Sequence, residues 1–140
     1  MSTDAKVRQG TTAWFEMAGT LMSEAASRAG LSPELNVSLL ERYTDGIELS
    51  DGLVQGLRFD ITGGKPSFRV GVRQDERADV VVELPAAAAR RLNTLRSADP
   101  QYQTARDHFV SEGEMRVDGD PGRLGRWLAA VHDPIVDRTS

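Results

Sequence analysis

Three successive segments between residues 53 and 84 alternate apolar and polar side chains with a period of two. In the first segment, Phe59 and Ile61 fall on one face while Arg58 and Asp60 fall on the other. This period is typical of a β-strand with one buried face and one face in water. We therefore predict an antiparallel meander whose apolar face must be covered by other elements.

The remaining strands are shorter or less regular. The second segment alternates from Phe68 to Val72 and the third from Ala78 to Leu84. Gly56 interrupts the first segment and predicts a β-bulge. A further short strand is predicted from Ile47 to Leu49.

Two helices are predicted before the sheet. Apolar residues recur at helical spacing from Thr12 to Ala29, and Gly30 is the expected stop. Residues 32 to 43 begin with the letters SPE, which supply a cap, a first-turn proline and a carboxylate near the positive end of the helix dipole. Residues 1 to 10 are polar and are predicted to be frayed.

Two more helices and a strand are predicted after the meander. Pro85 begins an alanine-rich helix, and another helix runs from Pro100 to about Glu112. Met115 and Val117 then alternate with charged residues, the pattern of a short strand.

The chain ends in a strongly amphipathic segment. Asp120 can accept hydrogen bonds from free helix amides, and Pro121 fits the first helical position. Apolar residues follow at positions i, i+3, i+4 and i+7, so we predict one continuous helix. Its buried face consists of Leu124, Trp127, Leu128 and Val131.

Composition limits the classes of function. The 140 residues include 17 basic and 21 acidic side chains, a net charge of −4, and no cysteine. Nucleic acid is therefore not an expected partner, and disulfides and thiolate metal sites are excluded. No segment approaches the roughly 20 apolar residues of a membrane span, and no signal-peptide pattern is present. We expect a single cytoplasmic domain over residues 1–140 with no membrane insertion.

Motifs for catalysis and for cofactors are weak. His132 and Asp133 form an HD pair without the further ligands that a metal phosphohydrolase needs. Asp118, Asp120 and Asp133 lack the spacing of a calcium loop. There is no phosphate-binding loop and no serine nucleophile elbow. No enzyme activity, cofactor or metal is expected.

Residues 109–120 read FVSEGEMRVDGD. They resemble the A-F-x-x-G-K-hydrophobic-x-hydrophobic-x-G-D/N segment of the sterol carrier protein 2 (SCP-2) family, with a glutamate where a lysine is usual. Residues 56–61 resemble the first strand of that family, and residues 77–82 resemble the strand before its middle helices. The resemblance covers residues 53–131.

The resemblance implies an α+β fold, in which helices cover one face of a mostly antiparallel, twisted sheet of about five strands. It further implies an apolar tunnel between the two layers and non-enzymatic binding or transfer of a fatty acid, fatty acyl-CoA, sterol or phospholipid. We divide the domain into an N-terminal helical part, residues 11–44, and the sheet with its covering helices, residues 45–132. The link between Leu95 and Gly113 is longer than in the family and is expected to reshape the cavity mouth.

The candidate tunnel residues come from the last strand and the helices on either side of it. A lipid site and a protein core have the same apolar composition, so core packing and ligand contact both stay open for each residue. The candidates are Phe109, Val110, Met115, Val117, Leu124, Trp127 and Leu128.

Two other classes of protein remain open. One is an enzyme with the α+β cone of nuclear transport factor 2, acting on a polyketide or steroid by acid-base chemistry. Its candidate acids, Asp60, Glu83 and Asp118, fall on the predicted wet face. The other is a scaffold whose N-terminal helix, through Trp14 and Phe15, forms a homodimer or docks on a lipid-using enzyme.

Overall fold

The computed structural model describes residues 5–140. It contains a six-stranded mixed sheet with helices packed on one face. The strands are β1 (Val37–Tyr43), β2 (Glu48–Ser50), β3 (Leu53–Thr62), β4 (Lys65–Val72), β5 (Val80–Leu84) and β6 (Arg116–Asp118). The helices are α1 (Thr12–Arg28), α2 (Ala86–Leu92), α3 (Pro100–Ser111), α4 (Trp127–Ala130) and α5 (His132–Asp137), with a 3₁₀ turn at Pro121–Leu124.

Strand β1 lies inside the sheet. It pairs antiparallel with β3 and parallel with β5. Strand β4 pairs antiparallel with β3, and β6 pairs antiparallel with β5. Strand β2 pairs with the start of β3, where Val54 has Glu48 and Val72 as partners. The predicted α+β class with a mostly antiparallel sheet is therefore confirmed.

The second predicted helix is wrong, because residues 37–43 form β1. The helix-start signal produces only a turn, in which the Glu34 N–H donates to Ser32 Oγ at 3.2 Å and the Leu35 N–H donates to Ser32 O at 3.0 Å. Beyond this turn, β3 and β5 offer hydrogen-bonding partners on both edges of the segment. Pairing with these two strands satisfies most backbone groups of an extended segment and overrides a weak local preference for helix.

The predicted meander is correct for β3 and β4 and wrong for β5. The β3–β4 register shifts between Val54 and Leu57, next to Gly56, as the bulge prediction required. After β4, the chain crosses the uncovered face of the sheet, where Arg42 Nη1 donates to Arg73 O at 3.1 Å and to Glu76 O at 3.0 Å. This crossing takes β5 to the other side of β1, where the two strands run parallel.

Residues 5–10 are fixed by contacts, so the prediction that they are frayed is wrong. Val7 forms a β-bridge with Thr139, and Gln9 is buried and donates from Nε2 to Tyr43 Oη at 2.6 Å. Residues 1–4 of that prediction lie outside the described residues.

Helix α1 covers the sheet at β3 and β4. Gly19 makes this contact close, because a Cβ at this position would lie 2.4 Å from the ring of Phe68. Trp14 and Phe15 are only 4% and 1% exposed, with their rings packed edge-to-face in the core. Both rings therefore belong to the core and not to the surface, whereas a homodimer or partner contact through the N-terminal helix stays a prediction. In residues 5–140, no helix is long and apolar enough to cross a membrane.

The closing helix is broken at Gly125. Asp120 acts as a cap as predicted, accepting from the Gly122 N–H at 2.9 Å, but Gly125 has a φ of 116° and ends the turn. Trp127 Nε1 donates to Leu124 O at 2.7 Å, so the carbonyl released by the break keeps a partner. The buried residues of the predicted face are Leu124, Trp127 and Val131, with Leu128 partly buried.

Candidate functional site

A cavity of about 550 Å³ lies between the sheet and helices α3, α4 and α5. We call it the outer cavity. Its sheet wall consists of Leu39 and Glu41 from β1, Val82 from β5, Val117 from β6, and Met115 just before β6. Its helical wall includes Tyr102, Arg106, Arg126, Leu128, Ala129 and His132.

The strand register explains why the sheet residues converge. Glu41 lies beside Leu57 of β3 and Val82 of β5, and Val82 lies beside Val117 of β6. Directly paired residues point to the same face of a sheet. Together with Leu39, two residues before Glu41, they form one continuous wall.

A smaller cavity of about 140 Å³ adjoins the first. We call it the inner cavity. Leu39, Glu41, Leu128 and His132 line both cavities, so the two spaces are neighbours. The rest of the lining of the inner cavity is mainly apolar and comes from α1, β3 and α5, with Asn93 as a further polar residue. The apolar residues include Trp14, Phe15, Met22, Leu57 and Ile135.

Glu41 is the acidic residue that both cavities share. Its carboxyl makes no hydrogen bond or ion pair with the rest of residues 5–140, and burial raises its pKa from 4.5 to about 7. The side chain is partly accessible, and both cavities reach it. The site is therefore apolar with one weakly acidic hydrogen-bonding group between its two parts.

Two arginines flank the outer cavity. Arg126 is exposed and Arg106 is partly exposed. Within the described part of the chain, neither guanidinium has a carboxylate oxygen within 4.0 Å. The outer cavity can therefore accept an anionic group from a ligand at either arginine.

An aromatic pair forms part of the helical wall. The rings of Tyr102 and His132 are 4.5 Å apart between centroids. His132 Nε2 lies 2.8 Å from Leu95 O. A carbonyl only accepts, so Nε2 carries the proton of this bond and fixes the orientation of the ring.

Helix α3 lies within the long link between Leu95 and Gly113. It contributes Tyr102 and Arg106 to the outer cavity. Asp99 begins this helix by accepting from the Gln101 N–H at 2.9 Å. The link therefore supplies one aromatic and one cationic side chain to the wall.

The structure brings three of the seven candidate tunnel residues into the outer cavity. Met115 and Leu128 are mostly buried and line it from opposite walls, and Val117, 36% exposed, lies toward its edge.

The other four candidates lie elsewhere. Phe109 packs against the core from α3, whereas Val110 points outward and is 50% exposed. Leu124 is fully buried, because the 3₁₀ turn presses it onto the core. Trp127 packs on Phe59 with 5.3 Å between ring centroids, and it lines a separate surface groove with α1. None of these four residues lines the outer cavity, so their assignment to a ligand tunnel stays a prediction.

Sequence reasoning missed Glu41 and Leu39, because both fell in the helix that does not form. A signal for them exists in the sequence: Val37, Leu39 and Tyr43 are apolar at a period of two. A strand interpretation of this segment puts Glu41 on the apolar face, where an acidic residue is unusual.

The candidate acids of the enzyme alternative lie away from the cavities. Glu83 pairs with Arg42 at 3.1 Å and Asp60 pairs with Arg58 at 3.2 Å, both on the sheet face that the helices leave uncovered. Among residues 5–140, no group of three or more histidine, aspartate or glutamate side chains is placed to hold a metal ion.

No protein-family model and no curated protein matches the chain. Among solved structures, a conserved hypothetical protein and possible sterol carrier protein from Thermus thermophilus superposes with a TM-score of 0.55 at 13% identity, covering 94% of this chain and 92% of that chain. The crystal structure of sterol carrier protein 2 superposes with a TM-score of 0.52 at 13% identity, covering 99% and 100%. The chain has the SCP-2 fold. At this level of identity the likeness concerns the SCP-2 fold alone, which is the fold that residues 53–131 predicted.

Proposed function

We propose that the chain binds a hydrophobic small molecule in the outer cavity and carries it without converting it. The observation that supports this proposal is the cavity of about 550 Å³ between the sheet and the helices. Sites for small ligands typically measure about 300 to 1,000 Å³ and are mainly apolar. The SCP-2 fold supports the same interpretation, because one solved structure with this fold is that of sterol carrier protein 2.

The energetics are sufficient for a lipid. Burying one methylene contributes about 0.8 kcal/mol, so ten methylenes contribute about 8 kcal/mol before the cost of ordering the chain. That gross value corresponds to a dissociation constant of about 1 μM. Ordinary aliphatic walls such as Leu39, Val82, Met115 and Leu128 therefore suffice for binding.

The charges at the cavity edge favour an amphipathic ligand. Arg106 and Arg126 can meet a carboxylate or phosphate, whereas the apolar part lies along the sheet wall. Among the ligand classes considered, this arrangement favours a fatty acid, a fatty acyl-CoA or a phospholipid over a sterol.

Two adjacent alanines give a direct test. Ala129 lines the outer cavity, whereas Ala130 lines the groove beside α1, and both are exposed. We expect Ala129→Trp to obstruct the cavity and weaken the binding of dodecanoic acid at least about tenfold, a loss of about 1.4 kcal/mol in calorimetric titration. Ala130→Trp is the matched control and should bind as the wild type does.

A second measurement tests the proposal without a chosen ligand. Denaturing solvent extraction of the purified protein, followed by mass spectrometry, should release lipid. An empty extract, together with no binding of dodecanoic acid or of fluorescent lipids at micromolar concentration, would reject the proposed function. Equal loss of affinity in both alanine variants would place the ligand outside the outer cavity.

A further inference from the structure

Glu41 lies on the helix-facing side of β1, where the other side chains of the strand are apolar. On the helix-facing side of β1, Val37, Leu39 and Tyr43 are 3%, 7% and 1% exposed. Glu41 continues this series and lies between Leu57 of β3 and Val82 of β5. A carboxyl group here gains nothing for the packing of the core.

The groups around Glu41 do not neutralise it. On the inner side, the Tyr43 hydroxyl accepts from Gln9 Nε2 at 2.6 Å. On the helical side, His132 uses Nε2 to reach Leu95 O at 2.8 Å. Arg106 and Arg126 line the outer cavity without bonding to Glu41, and burial is the cause that raises its pKa.

An unpaired carboxyl between two cavities constrains the ligand. When a ligand fills the outer cavity, it displaces the water that can solvate Glu41. An apolar chain end then leaves the carboxyl unpaired, which is unfavourable, whereas a hydroxyl at the same place supplies the missing hydrogen bond. Both the ionised and the protonated carboxyl can accept this bond.

We propose that Glu41 determines the specificity of the ligand site by accepting a hydrogen bond from a hydroxyl group at the buried end of the ligand. This inference rests on the proposed function and adds the class of ligand: an amphipathic lipid that carries an anionic group at one end and a hydroxyl at the other. The anionic group faces Arg106 and Arg126, and the hydroxyl faces Glu41.

A pair of ligands that differ by one oxygen atom tests the proposal. Dodecanoic acid and 12-hydroxydodecanoic acid have the same chain length and the same carboxylate. We expect the wild-type protein, freed of lipid, to bind the hydroxy acid about five- to tenfold more tightly in calorimetric titration, the value of one hydrogen bond.

Three variants separate the role of the acceptor from general effects. Glu41→Leu removes the acceptor and should reverse the preference, because an apolar site disfavours a buried unpaired hydroxyl. Glu41→Gln keeps a carbonyl acceptor and should retain the preference. Glu34→Leu removes an exposed glutamate outside both cavities and should behave as the wild type.

The outcomes distinguish this inference from the proposed function. If both acids bind the wild type equally, or if Glu41→Leu still prefers the hydroxy acid, the inference is wrong and the carrier proposal stands. If the solvent extract is empty and neither acid nor any fluorescent lipid binds the wild type, both are wrong. Thermal unfolding of each variant confirms that the protein used in the titration is folded.

Discussion

At the scale of single residues, Glu41 makes stability depend on pH. Its folded-state pKa is about 7, above the 4.5 of an unperturbed glutamate, and burial is the cause. The folded state therefore binds the proton more tightly than the unfolded state, so stability falls as the pH rises from about 4.5 to about 7. The difference between the two pKa values corresponds to about 3 kcal/mol.

Glu41→Gln removes this dependence. At about pH 8 the variant should be more stable than the wild type by roughly 2 to 3 kcal/mol, because it buries no charge. At about pH 4.5 the two proteins should differ by less than about 1 kcal/mol, since the wild-type carboxyl is then protonated. Urea unfolding at both pH values measures the difference. Glu34→Gln, at an exposed position, is the control, and equal stabilisation at both pH values would contradict the assignment.

At the scale of secondary-structure elements, the sequence predicted the helix ends that depend on signals within a few residues. The Asp120 cap and the stop at Gly30 both occur where expected. The start of α2 did not follow this rule, because Pro85 has no polar cap before it. The structure supplies that cap from a distant residue, with the Ala86 N–H donating to Asp45 Oδ1 at 2.7 Å.

What the sequence could not predict is the pairing of distant segments. Residues 35–43 carry helix-like spacing at Leu35, Leu39 and Leu40, and only pairing with β3 and β5 makes residues 37–43 a strand. The parallel course of β5 depends on β1 being in place. The same limit applied to the site, because Glu41 joins the cavity wall only through this pairing. Alternation predicted the strand near Met115 and Val117, and the family resemblance placed these two residues in a ligand site.

The effect of Gly125→Ala on stability shows whether the closing segment is broken at Gly125 or forms one continuous helix, because the two structures predict changes in opposite directions. Gly125 has φ 116° and ψ 171°, a region that side chains other than glycine rarely enter. Gly125→Ala should therefore lower the free energy of unfolding by about 1 to 3 kcal/mol. In one continuous helix the same change would raise it by up to about 1 kcal/mol. Urea unfolding decides between them. Gly122 lies in the same turn but has no positive φ. A Cβ there would lie 3.0 Å from the exposed Asp120 carboxylate, which can rotate away, so Gly122→Ala should shift stability by less than about 1 kcal/mol.

At the scale of the whole molecule, a contact between distant segments encloses the inner cavity. Val7 pairs with Thr139, and the indole of Trp14 donates to Thr139 Oγ1 at 2.8 Å. The Thr139 hydroxyl in turn donates to Ile135 O at 2.7 Å. Since Trp14 and Ile135 both line the inner cavity, this network holds α1 against α5 where they enclose it.

Thr139→Val tests whether this network holds the two helices together. The variant keeps the shape of the side chain but leaves the buried Trp14 N–H without an acceptor, which should cost about 1 to 3 kcal/mol. The loss should be local, so amide hydrogen exchange should accelerate in α1 and α5 more than in β3 and β4. Thr104→Val is the matched control, because its exposed hydroxyl only donates to Pro100 O within α3. A uniform acceleration across the sheet and helices would show that Thr139 supports global stability without specifically joining α1 to α5.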